Sequence, residues 1–270
     1  MGLLLKGVHM KLLFQSDDYG ITRAVSQGII YSITHGIVRN TGLFANMPWA
    51  EECVEWIRPY LDDIAFGIDL NASTGPSLLG YDKVPNLCHD NGMFYTSREN
   101  RAMDTEENNY DHVNYEQVYA EFEAQTERFI ALVGKAPDYI HGHAYGTKTT
   151  DEVTRTLAKE YGILCSVAFM DRPEVKEAGM GWYVWGGPEA QLNEDPISYI
   201  TQDKGEILNQ EYGYIVSHCG YADADLFKLT SFSTCRVKDL ECMTSDAVKN
   251  WIKENNIELA SFKDLPKEWI

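Results

Sequence analysis

The sequence predicts an α/β fold in which parallel strands and helices alternate to form a closed or nearly closed (β/α) barrel. Short apolar runs alternate with longer segments of helical period, an order typical of parallel strands joined by helices. About seven such strand and helix units fit a barrel better than an open sheet. Since no internal repeat, low-complexity tract or Pro/Ser-rich linker interrupts the pattern, we expect a single domain over residues 1–270.

The first half of the chain predicts three strands and two helices. We expect strands at 12–16, 38–47 and 64–71, and helices at 21–35 and 49–61. Apolar residues recur near helical spacing in the first helix. The second helix begins with Glu51 and Glu52, which suit the positive end of a helix dipole.

A long polar segment follows the third predicted strand. It covers about 73–113 and is predicted to be an insertion, because a connection of this length is unusual inside a compact domain. One interpretation is a lid or a dimerisation arm. The other, which we favour, is a solvated insertion with local structure of its own.

The second half of the chain continues the alternation. A strong helix is expected at 114–134, where Gly134 suits its carboxyl end. Further strands are expected at 139–145, 163–169, 214–217 and 257–262, and further helices at 150–161, 197–212 and 239–255.

Composition excludes several classes of partner. The chain has 23 Lys and Arg residues against 41 Asp and Glu, a formal net charge of −18, which argues against nucleic-acid binding. No stretch approaches the roughly 20 apolar residues that cross a bilayer, and the apolar patch Leu3, Leu4 and Leu5 is too short for a signal peptide. We therefore expect a cytoplasmic protein without a membrane span. Its six cysteines are expected to be unpaired thiols.

Polar residues with catalytic potential occur at the ends of four predicted strands, where parallel α/β folds collect reactive groups. They are Asp17, Asp18, Asp69, His141, His143 and His218. Each has an ordinary alternative: an Asp pair can cap a helix, and a histidine can be a satisfied core residue. Asp69 lies inside an apolar run, and a buried carboxylate needs a partner or a metal.

Several motifs resemble those of the YdjC-like carbohydrate deacetylases, which include the chitooligosaccharide deacetylases. The matching segments are FQSDDYGITRAVSQGI, GIDLN, PDYIHGH, IVSHCGYAD, SFSTCRVKDLECMTSDAV and IELASFKDL, in order along nearly the whole chain. The resemblance implies a variant (β/α) barrel of the glycoside hydrolase and deacetylase type. It also implies a homodimer, one divalent metal that is usually magnesium, and hydrolysis of an N-acetyl group on a sugar.

The resemblance assigns roles by position. Asp17 matches the general base and Asp18 the metal-binding carboxylate. His143 matches a metal-binding histidine, and His218 matches the general acid.

Two positions depart from the family pattern. Asp69 stands where a metal-binding histidine is usual, and His141 stands where a carboxylate is usual, as a substitute ligand or a group that supports the ligands. A set made of Asp18, Asp69 and His143 favours the harder ions Mg²⁺ or Mn²⁺ over Zn²⁺, since it adds an anionic oxygen.

The expected function is therefore metal-dependent removal of an N-acetyl group from a small acetylated sugar or oligosaccharide of the chito-oligosaccharide type. Trp182 and Trp185 could stack on a sugar ring or simply pack the core, and Arg236 could contact substrate or anchor a loop. Two alternatives stay open. One is a metal-independent glycoside hydrolase that uses two carboxylates, and the other is a sugar-binding or regulatory protein whose site Asp69 has altered.

Overall fold

A computed structural model describes residues 10–208 and 210–269. In these residues a parallel sheet contains eight strands. They are β1 (Lys11–Tyr19), β2 (Asn40–Leu43), β3 (Ala65–Leu70), β4 (Tyr139–Gly142), β5 (Leu164–Cys165), β6 (Val175–Glu177), β7 (Tyr212–Ser217) and β8 (Glu258–Ala260). The strand order is β5-β4-β3-β2-β1-β7-β6, and β8 pairs with the first residues of β1. The sheet is curled into a half-barrel that is open between β5 and β6, so the predicted closure is only partial.

Helices follow most strands. They are α1 (Arg23–His35), α2 (Ala50–Ile57), α3 (Ser97–Met103), α4 (Tyr115–Val133), α5 (Lys148–Tyr161), α6 (Ser166–Met170), α7 (Pro188–Gln191), α8 (Pro196–Thr201), α9 (Leu226–Leu229), α10 (Cys235–Thr244) and α11 (Asp246–Glu254). The predicted helix at 114–134 is confirmed, with Asn114 capping its amino end and Gly134 left-handed at φ +87° after its carboxyl end. Within the described ranges, no helix is both long enough and apolar enough to cross a membrane.

The two faces of the sheet divide the core. Side chains alternate along a strand, so Leu12 and Phe14 of β1 pack with the helices while Leu13 points inward. The inner apolar cluster includes Tyr139 and Phe262, whose ring centroids are 4.3 Å apart. This cluster fills the end of the half-barrel where the strands begin. Polar side chains are therefore left for the other end, where the strands finish.

Three predicted elements are wrong in type or extent. Residues 163–169 form the short strand β5 and then the helix α6, because an apolar run this short suits either structure. The helix expected at 197–212 ends at Thr201, and Asp203 and Glu206 have positive φ angles that no helix accepts. The helix expected at 239–255 is two helices, since Ser245 has extended backbone and caps α11.

Smaller differences concern the edges of elements. The strand expected at 38–47 is only β2, the helix expected at 49–61 ends at Ile57 and continues as a 3₁₀ turn, and the strand expected at 139–145 ends at Gly142. Strand β6 was not predicted, because its three residues carry too little pattern. The apolar patch Leu3, Leu4 and Leu5 lies outside the described residues.

The segment predicted as an insertion connects β3 to α4. It contains α3 and a 3₁₀ turn at Glu106–Asn108, so it has the local structure expected of it. It is joined to the loop after β4, where the Tyr145 hydroxyl donates to Asp104 at 2.9 Å and Arg101 donates to the Ala144 carbonyl at 2.8 Å. That it is an insertion, and that it serves as a lid or a dimerisation arm, stay predictions.

Candidate active site

Four of the predicted site residues extend the inner face of the half-barrel. Asp17 continues the inward series of β1, and His218 directly follows β7. Asp69 on β3 and His141 on β4 are neighbours in register. Because side chains two apart on a strand share a face, all four groups lie at the end of the barrel where the strands finish.

Asp17 lies at the centre of this inner group. Its Oδ2 is 3.3 Å from Nε2 of His141 and 4.0 Å from Nε2 of His218. Its Oδ1 accepts a 2.5 Å hydrogen bond from Gln15, whose own amide oxygen accepts from the Tyr214 hydroxyl at 2.7 Å. The carboxylate is therefore held from one side while its second oxygen faces two imidazoles.

Burial and neighbouring charges shift the pKa values of Asp17, His141 and His218 in different directions. Burial opposes ionisation of Asp17, but the facing His141 outweighs it and lowers the pKa of the carboxyl. The pKa of His141 is raised to about 9, since the attraction of Asp17 exceeds the effect of burial. Burial lowers the pKa of His218 to about 4. Near pH 7, then, Asp17 and His141 form a charged pair and His218 is neutral.

A second group of residues lies beside the first and consists of Asp18 and the side chains that contact it. Asp18 has a left-handed backbone at φ +71°, which directs its N–H to Oδ2 of Asp69 at 2.7 Å. Its Oδ2 accepts a 2.5 Å charged hydrogen bond from Arg236. Its Oδ1 lies 2.8 Å from Nδ1 of His143. Burial opposes the charge on Asp18, but His143 and Arg236 prevail and hold the pKa of its carboxyl well below its usual range.

Asp69 is fully buried between these two groups of residues. It packs against Gly42, where a Cβ atom would lie only 1.9 Å from its Oδ1. Burial, and then the negative charge of Asp17, raise the pKa of Asp69 well above its usual range. Its Oδ1 is buried and has no hydrogen-bond partner in the part of the chain that the structure describes.

The predicted metal ligands are only partly brought together. Across residues 10–208 and 210–269, no three His, Cys, Asp or Glu side chains converge closely enough to hold an ion. Asp18 and His143 are adjacent, whereas the carboxylate of Asp69 contacts the backbone of Asp18. The donor chemistry nevertheless suits a hard cation, because the buried Oδ1 of Asp69 has no hydrogen-bond partner within the described residues and the Oδ1 of Asp18 faces the imidazole of His143.

His218 is supported by Tyr183 and Asp239, which are absent from the predicted site residues. Its Nδ1 lies 2.9 Å from the Tyr183 hydroxyl, which donates to Asp239 at 2.5 Å. Asp239 also accepts from the backbone N–H of His218 at 2.7 Å and from the indole of Trp182 at 3.0 Å. Asp239 falls inside a matched family motif, but only the fold shows that it meets His218.

The three predicted substrate contacts occupy different environments. Trp182 is 5% exposed and packed inside, which favours the core-packing interpretation. Trp185 is 83% exposed, and its ring centroid lies 6.3 Å from that of Phe232. The Phe232 ring in turn makes a T-shaped contact with His218, with the ring centroids 4.9 Å apart. Arg236 is buried and pairs with Asp18, and its Nη1 makes no hydrogen bond to any described residue.

The fold and the cluster define a class of protein. It is a partial (β/α) barrel that gathers carboxylates and imidazoles where its strands end, as enzymes of barrel architecture do. The model of the YdjC-like protein family matches residues 11–254, and the chain belongs to this family.

Named relatives match nearly the whole length of the chain. The chain is 31% identical over 264 residues to carbohydrate deacetylase 2 of Listeria innocua serovar 6a, covering 96% of this chain and 100% of the relative. It is 28% identical over 267 residues to the carbohydrate deacetylase of Clostridium beijerinckii, covering 95% and 100%.

Solved structures share the architecture. A protein of Enterococcus faecalis V583, described as a proposed cellobiose-phosphate cleavage protein, superposes with a TM-score of 0.76 at 26% identity and covers 94% of this chain and 98% of its own. A family 4 carbohydrate esterase from Streptomyces lividans, solved with acetate, has a TM-score of 0.50 at 10% identity over 94% of each chain. At that identity the esterase supports the fold alone.

Proposed function

We propose that this protein is a carbohydrate deacetylase that hydrolyses the N-acetyl group of a small acetylated sugar of the chito-oligosaccharide type. The observation that carries the proposal is that Asp17 and His218 lie on one inner face, with Oδ2 of Asp17 4.0 Å from Nε2 of His218. The chain in which they meet belongs to the YdjC-like family. The names of the relatives support the reaction class.

Amide hydrolysis requires a group that takes a proton from water and a group that gives a proton to the leaving nitrogen. Asp17 is ionised and takes the water proton on Oδ2. His218 is neutral near pH 7, because burial lowers its pKa to about 4, so it must first receive a proton on Nε2. Asp17 Oδ2 lies 4.0 Å from that nitrogen, a gap that one bridging water would span to carry the proton from the attacking water toward the departing amine.

The donor chemistry of the second group of residues suits a divalent cation. Asp18, Asp69 and His143 would hold it, with Mg²⁺ preferred over Mn²⁺ or Zn²⁺ and His141 as a supporting or substitute ligand. When bound, the cation would polarise the acetyl carbonyl and stabilise the oxyanion.

One observation favours the sugar-binding alternative. Arg236 already neutralises Asp18, the carboxylate expected to bind the metal, through a 2.5 Å ion pair. A site that cannot admit the cation beside this guanidinium would bind sugar without cleaving it. The cytoplasmic location and the homodimer also stay proposals from the sequence.

The test is acetate release from acetylated chito-oligosaccharides with added Mg²⁺, Mn²⁺ or Zn²⁺. Asp17→Asn should lower the rate by about 10²–10⁴-fold, the usual contribution of a general base. Asp225→Asn is the matched control, since this side chain is exposed and pairs with Lys228. Sugar binding without acetate release under all three metals would reject the deacetylase and support the binding protein.

A further inference from the structure

The side of His218 that faces away from Asp17 contains a buried chain of hydrogen bonds. It runs from Nδ1 of His218 to the Tyr183 hydroxyl at 2.9 Å and on to Oδ2 of Asp239 at 2.5 Å. Tyr183 is 7% exposed and Asp239 is fully buried. Water therefore has little access to these groups, and the donors and acceptors among them can be counted.

Asp239 fixes the direction of the chain. Its Oδ1 accepts the indole N–H of Trp182 at 3.0 Å, and its Oδ2 accepts the backbone N–H of His218 at 2.7 Å. Burial raises the pKa of Asp239 to about 6, so above that pH it is a carboxylate that can only accept hydrogen bonds. The single hydroxyl proton of Tyr183 must then point to Asp239.

The direction at Tyr183 decides the proton position on His218. With its proton given to Asp239, the Tyr183 oxygen offers only lone pairs to the ring nitrogen 2.9 Å away. An unprotonated Nδ1 there would place two lone pairs against each other, whereas an Nδ1–H donates a normal hydrogen bond. We propose that Tyr183 is a positioning residue that keeps the neutral His218 ring protonated on Nδ1, so that Nε2 carries the free lone pair.

This arrangement matches the proton transfers of the proposed function, on which its catalytic meaning rests. The neutral ring accepts a proton at Nε2 and becomes an imidazolium with both nitrogens protonated. It then gives the Nε2 proton to the departing amine, and the ring that remains is again the Nδ1–H form. Tyr183 accepts from Nδ1–H in both states, so the ring has no need to rotate or exchange its other proton.

The experiment reads the ring nitrogens directly. Full-length protein labelled with ¹⁵N-histidine is examined by long-range ¹H–¹⁵N NMR at pH 7.5 without added metal, and His218→Gln identifies the signals. Wild type should show Nε2 as the unprotonated nitrogen of His218. Tyr183→Phe should shift the ring toward the Nε2–H form and lower kcat about tenfold or more with KM changed less than about threefold.

Tyr199→Phe is the matched control. Its ring packs 5.1 Å from Trp182, and its hydroxyl donates to the Ala178 carbonyl rather than to His218, so the tautomer and kcat should stay as in wild type. A wild-type His218 protonated on Nε2, or a Tyr183→Phe spectrum like that of wild type, would overturn the proposal. The correct tautomer without any acetate release would leave Tyr183's role intact and reject the deacetylase instead.

Discussion

Replacing Gly42 by alanine tests whether the position of Asp69 matters, without touching a polar group. Gly42 lies on β2 beside β3, and a Cβ built on it would be 1.9 Å from Oδ1, 2.3 Å from Cγ and 2.8 Å from Oδ2 of Asp69. Such distances lie far inside van der Waals contact, so the carboxylate must retreat by roughly 1 Å or more. The residue that must move is the one that accepts the N–H of Asp18.

The expected size of the effect follows from that contact. A retreat of Asp69 leaves the buried Asp18 N–H without its acceptor, at a cost of about 1–3 kcal/mol in the free energy of unfolding. Overpacking adds about 1–3 kcal/mol more. A catalytic geometry displaced by about 1 Å loses on the order of 100-fold in rate. Urea unfolding and acetate release measure the two effects separately.

Gly146→Ala is the control for this change. Gly146 lies in the loop after β4, and no neighbouring atom of the described residues comes within 4 Å of a Cβ built on it. The Gly146→Ala variant should therefore keep wild-type stability and rate. If Gly42→Ala also kept both, the packing of Asp69 against β2 would be irrelevant to the site. A loss of stability with a normal rate would separate Asp69 from catalysis.

Three further predictions concern the inner face, the rim and the thiols. The pKa of His141 is about 9 in the folded protein and roughly 6.5 in the unfolded chain. Its pairing with Asp17 therefore contributes fully to stability below pH 6.5, and this contribution is lost as the pH rises through 9. In urea unfolding, the free energy of unfolding of His141→Gln should fall less steeply than that of wild type between pH 6.5 and 9.5, and equal slopes would refute the pairing. Trp185→Ala, which removes an aromatic side chain 83% exposed near Phe232, should raise KM several-fold with little change in kcat, and an unchanged KM would exclude stacking. All six cysteines are buried with raised thiol pKa values, so a thiol reagent should label them only after unfolding, and rapid labelling of native protein would contradict this burial.

The strand ends were the part of the site that sequence could predict. Asp17, Asp69 and His141 follow or lie within apolar runs, and a period of two places them on one face once the strands are parallel. Hydrophobic pattern gives strand and helix types well where the segment is long, as in α4. It fails for 163–169, where six apolar residues in seven suit either type and the packing of Phe169 against Tyr214 accompanies the helix.

The supports of the site could not be predicted in the same way. Gln15 is two residues from Asp17, yet its role depends on Tyr214, which lies 199 residues further along the chain. Tyr183 and Asp239 are 56 residues apart and meet only through the fold. Local pattern contains no information on such pairs, because each residue alone resembles ordinary buried or loop polarity.

The two departures from the family pattern become one feature in the structure. Asp69 and His141 are register partners on adjacent strands, so a carboxylate where histidine is usual and a histidine where a carboxylate is usual stand side by side on the inner face. The exchange of residue types between these two positions keeps one acidic and one basic side chain side by side on β3 and β4. Each of the two groups also has a counterpart on this face: His141 pairs with Asp17, while burial and that same carboxylate raise the pKa of Asp69 well above its usual range. Changing only one of them should therefore disturb the site more than exchanging both, since Asp69→His/His141→Asp restores the balance that either single variant removes.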